Sequence, residues 1–399
     1  MRWPARPSPG AWRPRGVMGW VATIVSGSMA LVLGLVLLYM LRPVDLGGIG
    51  SLGSAGFGFS ITFIYLVVVT IGFGYLSWRR GARLPLTLFA TATVVVLVIS
   101  LWPTVALLRW AGDHDVDVSV LSALRAEPNP TEIRNSVIYT TTQDGTDLQL
   151  DVWPAARADD DPPGPALVHV HGGGWNRGTR GETSLWNREM ASRGFQVFDV
   201  EYRLAPNALL TDEVGDVKCA LGWIVDHADT YGVDISRISV MGNSAGGNLA
   251  MLAAYSTGDP ALPSSCDVPA VAIRSVVNLY GPSDLADLYR RSGSPGALRP
   301  SMRDYLGGTP DQHPDRYATL SPVTHVEADT PPTLTLSGTR DRVVPTAQLA
   351  ALHEALDAAG VANQLVVLPA TDHGFDQNWT GLNTQIARHL IPAFLAKYG

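Results

Sequence analysis

From Ser136 onward, short β-branched runs alternate with longer stretches whose apolar positions recur at helical spacing. The short runs predict strands over Ser136 to Thr140, Leu148 to Val152, Ala166 to Val170, Gln196 to Val200, Ile238 to Met241, Ile273 to Leu279, Thr333 to Leu336 and Gln364 to Leu368. Gln143-Asp144-Gly145-Thr146 separates the first two, and its Asp-Gly pair predicts a tight antiparallel hairpin. Helical stretches over Thr183 to Ser192, Glu213 to His227, Gly246 to Tyr255, Thr346 to Ala358 and Gly381 to Lys397 separate the later strands. Such alternation predicts an α/β fold, an eight-stranded, mostly parallel sheet flanked by helices. The exception is Pro282 to Val326, which is long, proline-rich and weakly periodic. A loop of that length inside a compact domain is expected to serve function, here as a lid.

The first 109 residues follow a different pattern. Val17 to Leu41, Ala55 to Trp78 and Pro85 to Leu108 each lack any charged side chain. Each is long enough, at about 1.5 Å per residue, to cross a hydrocarbon core of roughly 30 Å. The first run far exceeds the apolar core of a signal peptide, so the expectation is three transmembrane helices. Arg2, Arg6, Arg13 and Arg15 precede the first run, and Arg79, Arg80 and Arg83 lie between the second and third. The loop between the first two carries only Arg42, offset by Asp45. Positive-inside bias then puts the N-terminus in the cytoplasm and everything after Arg109 on the outer side of the plasma membrane. Residues 111–135, with a short apolar patch at Val118 to Leu124, read as a linker or small covering segment. The expected organisation is a membrane anchor over 1–109, this linker, and a catalytic domain over 136–399 with its lid near 282–326.

Charge sharpens the division. Residues 1–109 hold nine arginines, no lysine and one acid, whereas the remainder holds 20 basic and 35 acidic residues. An acidic globular part repels a polyanion, which argues against nucleic acid and leaves membrane lipid as the better partner. Both cysteines, Cys219 and Cys266, fall in the outer portion, where an oxidising compartment permits a disulfide between them. Two separate buried thiols are the other reading of the same residues.

Three segments carry chemistry. Gly242-Asn243-Ser244-Ala245-Gly246-Gly247 follows an apolar strand and opens an alanine-rich helix, so Ser244 is expected on a sharp strand-to-helix turn with its hydroxyl exposed. His171-Gly172-Gly173-Gly174-Trp175 follows another strand. Its side-chain-free backbone can aim N–H groups at a developing oxyanion, so Gly172, Gly173 or Gly174, together with Ala245, are the expected donors. A serine hydroxyl needs a base oriented by an acid. Among nine histidines, His373 in Thr371-Asp372-His373-Gly374-Phe375 fits the chain order Ser, Asp, His, and Asp341, just after Thr333 to Leu336, fits the acid. Asp372 is a weaker rival to Asp341, which could alternatively pair with Arg340 or Arg342 at the surface. His169 reads as a core residue and His171 as a shaper of the glycine loop. His227, His353 and His389 read as helical, with His313 and His325 in the lid.

With these motifs in hand, Ser136 to Gly399 resembles the hormone-sensitive-lipase-like branch of α/β hydrolases, which includes bacterial carboxylesterases. Further matching residues are Glu201-Tyr202-Arg203-Leu204-Ala205-Pro206, Asp216 and Asn278-Leu279-Tyr280-Gly281. Asn243 departs from the branch, which commonly has Asp before the serine. The resemblance implies hydrolysis of an ester or lipid substrate through an acyl-enzyme, with no metal or organic cofactor. An amidase, peptidase or formamidase-like hydrolase, and a catalytically inactive membrane receptor or binding module on a hydrolase scaffold, are the rival readings.

Overall fold

The computed structural model describes residues 16, 17, 20, 101–125, 127, 135–158, 161–208, 210–291 and 298–399. The chain divides into two compact units, Met1–Arg109 and Trp110–Gly399. Apart from residues 17 and 20 and the helical segment 101–108, the three apolar stretches lie outside the described residues, and so do their expected crossings. Among the described residues no helix is long and apolar enough to cross a membrane.

The second unit is built on one eight-stranded sheet in the order β1-β2-β4-β3-β5-β6-β7-β8. Its strands are β1 (Asn135–Thr141), β2 (Asp147–Trp153), β3 (Gly164–Val170), β4 (Gln196–Val200), β5 (Val233–Asn243), β6 (Ser275–Leu279), β7 (Thr333–Gly338) and β8 (Asn363–Leu368). β1 and β2 pair antiparallel, and so do β2 and β4. Every pairing from β4 across to β8 is parallel. The Asp144-Gly145 hairpin forms as its sequence predicts, with Gly145 at φ 85° and Thr142 N–H donating to the Thr146 carbonyl at 2.9 Å. β4 and β6 are buried at every position, because helices cover both faces of a parallel sheet and leave no solvent side for polar residues.

Among the described residues beyond 113, the helices are α1 (Val120–Ala123), α2 (Ser184–Ser192), α3 (Asp212–Asp226), α4 (Ala228–Tyr231), α5 (Ala245–Tyr255), α6 (Leu285–Arg291), α7 (Leu298–Leu306), α8 (Pro314–Thr319), α9 (Thr346–Ala358) and α10 (Leu382–Tyr398). All eleven residues of α5 are buried, and its small side chains let it lie close to the sheet. The approach is tightest at Gly246, where a Cβ would stand 2.1 Å from the Val170 carbonyl oxygen. α1 occupies the apolar patch of the linker, capped by Ser119, whose hydroxyl accepts from Ser122 N–H at 3.2 Å.

Two features of the chain between α3 and β7 bear on the site. Cys219 on α3 and Cys266 are joined in a disulfide across 47 residues, which realises the first of the two readings of these cysteines. The stretch read as an irregular lid contains α6, α7, α8 and a 3-10 turn, Pro322–His325. Leu285, Leu288, Met302, Tyr305, Tyr317 and Leu320 from this stretch join the same apolar core as the sheet. Its helices are short, six to nine residues each, although α7 does bury Met302, Tyr305 and Leu306 on one side.

Candidate active site

Parallel strands place their carboxyl ends along one edge of the sheet, and turns that leave that edge converge above it. Ser244 follows β5, Gly172 follows β3, Asp341 follows β7 and His373 follows β8. The pairing of β3 with β5, in register at Val170 and Gly242, brings the glycine loop beside the serine turn.

Ser244 is the N-cap of α5 and has φ 54° and ψ −122°, a conformation that few non-glycine residues adopt. The strain is held by the Ser244 N–H, which donates to the Leu279 carbonyl at 2.9 Å, and by the close seat of Gly246 against β3. The Ser244 hydroxyl lies 2.9 Å from His373 Nε2. On the far side of the ring, His373 Nδ1 is 3.0 Å from Asp341 Oδ2. The Asp341 side chain is fully buried, and its other oxygen accepts the backbone N–H groups of Val343 at 2.9 Å and Val344 at 2.8 Å. These amides orient the carboxylate and fix which oxygen faces the imidazole.

Arg342, one of the two arginines offered as surface partners of Asp341, grips Asp372 through Nε at 2.8 Å and through Nη2. Asp372 also accepts the His373 backbone N–H at 2.8 Å, so this carboxylate braces the main chain and leaves the ring nitrogens alone.

The loop of Gly172, Gly173, Gly174 and Trp175 turns through three successive positive φ values, 123°, 62° and 65°. At Gly173 a Cβ would sit 2.0 Å from the Arg177 carbonyl, so only glycine fits. Gly172 packs directly on the Ser244 turn, its missing Cβ 3.3 Å from Ser244 Cβ. Trp175 pins the loop: it is buried, stacks on Tyr305 of α7 at 5.0 Å, and donates to Asn248 Oδ1 of α5 at 3.3 Å. Ser301 of α7 donates to the Gly174 carbonyl. The Ala245 N–H opens α5 and has no intrahelical acceptor, so it points outward at the positive end of the helix dipole. Of the expected oxyanion residues, Gly172 and Ala245 therefore adjoin the serine directly, and Gly173 and Gly174 form the turn held beside it.

Five of the other histidines have partners of their own. His169 is fully buried with Nδ1 2.6 Å from Asn187 Oδ1, and burial lowers it to about 4. His171 stacks on Tyr202 at 4.3 Å and is likewise lowered to about 4 by burial. His227 bonds the Trp223 carbonyl, His353 bonds Asn363, and His325 bonds the Thr319 carbonyl.

Sequence reasoning assigned no role to the residues behind His373. Tyr280 lies edge-on to the imidazole with ring centroids 4.5 Å apart, and its hydroxyl donates to Asp376 Oδ1. Trp186 Nε1 donates to the other Asp376 oxygen at 2.9 Å. The available signal was an acid three residues beyond the histidine and an aromatic at the end of β6.

The sequence model of the BD-FAE family matches residues 150–356, just over half of the chain. The chain belongs to the BD-FAE family. Esterase LipC of Mycobacterium tuberculosis is 34% identical over 261 residues, covering 62% of this chain and 61% of LipC. The same organism's probable carboxylic ester hydrolase LipM is 33% identical over 236 residues, covering 57% of this chain and 53% of LipM. The chain thus spans a little over half the length of these relatives. Among solved structures, propionate-bound esterase Est2 of Thermogutta terrifontis superposes with a TM-score of 0.56 at 26% identity, covering 66% of this chain and 94% of Est2. The match of nearly all of Est2 to this BD-FAE member agrees with the α/β-hydrolase fold of the second unit.

Proposed function

We propose that this protein is a serine hydrolase that cleaves carboxylic esters, with Ser244 as nucleophile, His373 as general base and acid, and Asp341 as the orienting carboxylate. The observation that carries the reading is the unbroken chain from Ser244 Oγ to His373 Nε2 at 2.9 Å and from Nδ1 to Asp341 at 3.0 Å. His373 takes the serine proton as Oγ adds to the ester carbonyl. The oxyanion is met by backbone amides of the glycine loop and of Ala245. Collapse expels the alcohol, protonated by His373, and leaves an acyl-serine. Water, deprotonated by His373, then releases the acid and restores the serine.

Relatives named as esterases, and a Pseudomonas putida relative named ethyl acetate hydrolase at 30% identity, support esters as the substrate class. That name and the propionate of Est2 favour short acyl groups. The test is a chain-length series of p-nitrophenyl esters with wild type and Ser244→Ala. The proposal expects rates that fall as the acyl chain lengthens and a loss of about 10⁴-fold or more in the variant. A flat profile independent of Ser244 would refute it.

We also infer that the catalytic unit faces an oxidising exterior behind a membrane anchor. Supporting this are the three uncharged apolar stretches, their arginine flanks, and the Cys219–Cys266 disulfide, a bond that reducing compartments disfavour. Protease shaving of intact cells should remove the 136–399 unit. Its full protection would contradict the topology.

A further inference from the structure

The glycine loop is a backbone device whose aim its own residues leave open. Gly173, Gly174 and Trp175 lie at φ 123°, 62° and 65°. Glycine takes up such angles as readily as others, so the directions of the loop amides are set by whatever holds its carbonyls. In a planar trans peptide the N–H points opposite the carbonyl, and fixing one aims the other. Two of the holds come from the segment that follows β4: the Tyr202 hydroxyl donates to the His171 carbonyl at 2.9 Å, and the Ala205 N–H donates to the Trp175 carbonyl at 2.9 Å. Two more come from α7, in the insertion between β6 and β7.

α7 reaches the loop twice. Ser301 donates to the Gly174 carbonyl, and a Cβ at Gly174 would stand 3.1 Å from the Ser301 oxygen. One turn further on, Tyr305 stacks on Trp175 with ring centroids 5.0 Å apart and planes 9° from parallel. Both rings are buried. Ser301 and Tyr305 are four residues apart, so they share one face of the helix, and that face is applied to the loop. The Tyr305 hydroxyl has no hydrogen-bond partner among the described residues, so what Tyr305 gives the loop is its ring.

An anchor aims a loop only as firmly as it is itself held. Met302 and Leu306 sink α7 into the apolar core, Arg303 Nε donates to the Tyr289 hydroxyl of α6 at 2.8 Å, and Arg316 of α8 donates to the Leu306 carbonyl at 3.1 Å. Asn248, on α5 one turn beyond Ser244, ties the insertion to the nucleophile helix. Its Nδ2 donates to the Pro282 carbonyl at 3.1 Å and to the Leu320 carbonyl at 3.2 Å, near the two ends of the insertion, while its Oδ1 accepts from Trp175 Nε1 at 3.3 Å. The glycine loop, the Ser244 helix and the insertion therefore meet at one buried side chain.

We propose that α7 positions the glycine loop for the developing oxyanion, with Ser301 and Tyr305 as positioning residues. This rests on the reading of Ser244, His373 and Asp341 as the catalytic groups. The insertion then contributes to the rate without touching the reacting atoms: it restrains amides that must already be aimed when charge appears on the carbonyl oxygen. Acylation and deacylation both pass through that oxyanion, so a loosened loop slows both steps and lowers kcat while KM stays nearly constant. A gate over the substrate behaves differently, because a lost contact there moves KM together with kcat.

The experiment is steady-state hydrolysis of p-nitrophenyl acetate by wild type, Ser301→Ala, Tyr305→Leu and the conservative Tyr305→Phe, with unfolding temperature measured on each. Inhibition is measured in parallel with a matched pair: a short alkyl trifluoromethyl ketone, which adds to the serine and forms an oxyanion, and the same ketone without fluorine, which stays a planar carbonyl. Expected are losses of about tenfold or more in kcat for Ser301→Ala and Tyr305→Leu, with KM within about twofold. The trifluoromethyl ketone should weaken by a similar factor and the plain ketone hardly at all, whereas general damage to the site weakens both. Tyr305→Phe keeps the stacked ring and should retain most of kcat. Ser244→Ala is the separate control: activity that survives in it defeats the catalytic reading, whereas full kcat in Ser301→Ala with Ser244→Ala inactive defeats only the role of α7. Equal weakening of both ketones, or a loss in Tyr305→Phe as large as that in Tyr305→Leu, would also overturn the proposal. If Tyr305→Leu fails to fold, Ser301→Ala and its two ketone constants decide it: lowered kcat with selective loss of the trifluoromethyl ketone supports, and anything else refutes.

Discussion

Replacing Asp341 by asparagine changes one atom and should disable the base rather than the fold. Asp341 Oδ1 is held by the Val343 and Val344 amides, two donors at 2.9 and 2.8 Å. In Asp341→Asn those donors keep the amide oxygen, so the new NH₂ takes the place of Oδ2 and points at His373 Nδ1. An NH₂ cannot accept the Nδ1 proton, and the imidazole must switch to the tautomer with its proton on Nε2. That proton then faces Ser244 Oγ, 2.9 Å away in the wild type, and the ring has no lone pair with which to take the serine proton. Catalysis is left to the oxyanion donors and to binding. The expected loss in kcat is about 10³ to 10⁴-fold, or roughly 4 to 5.5 kcal/mol of transition-state stabilisation. Because both backbone amides keep their acceptor, the unfolding temperature should stay within a few degrees. Steady-state kinetics on a p-nitrophenyl ester, with thermal unfolding on the same sample, reads both quantities. A loss below about tenfold would show that Asp341 does not orient His373, and the tautomer argument would fail.

Three further outcomes follow from the same geometry. Removing the Cys219–Cys266 bond by paired serine substitution frees a loop of 47 residues in the unfolded chain, for a loss of about 4 kcal/mol on the chain-entropy account; urea unfolding showing less than about 1 kcal/mol would contradict it. Gly246→Ala would drive a Cβ to 2.1 Å from the Val170 carbonyl, so the nucleophile turn should shift and activity fall at least about a hundredfold, which kinetics on folded protein would check. Burial lowers His169 to about 4 from an ordinary 6.5, so the unfolded chain binds the proton first as pH falls. Its stabilisation is therefore full above about pH 6.5 and is lost towards pH 4, a change of roughly 3 kcal/mol in that window. Glu213, whose carboxyl burial raises well above the usual range, works in the opposite direction, so the measurement is the difference between wild type and His169→Gln at pH 7 and pH 5. Wild type should lose more stability than the variant, and an equal loss would refute the assignment.

The strands were legible because both-face burial writes largely apolar runs such as Ala166 to Val170, and glycines mark the turns that follow β3 and β5. Ser244, His373 and Asp341 were legible because chain order and strand ends fix their places once the sheet is recognised. The helices between Pro282 and Val326 were not, since α6, α7 and α8 each span fewer than ten residues and their apolar contacts, such as Tyr305 on Trp175, are made across the fold. The pairing of Tyr280 with Asp376 was hidden for a similar reason: 96 residues separate them, and nothing local announces that they meet.

The account stands on one reactive hydroxyl, and covalent capture tests it most directly. Folded protein treated with a fluorophosphonate should gain a single adduct, mapped by peptide mass spectrometry to Ser244, with loss of ester hydrolysis in proportion to labelling. Hydrolysis that persists in fully labelled protein, or an adduct on another residue with Ser244 untouched, would contradict it.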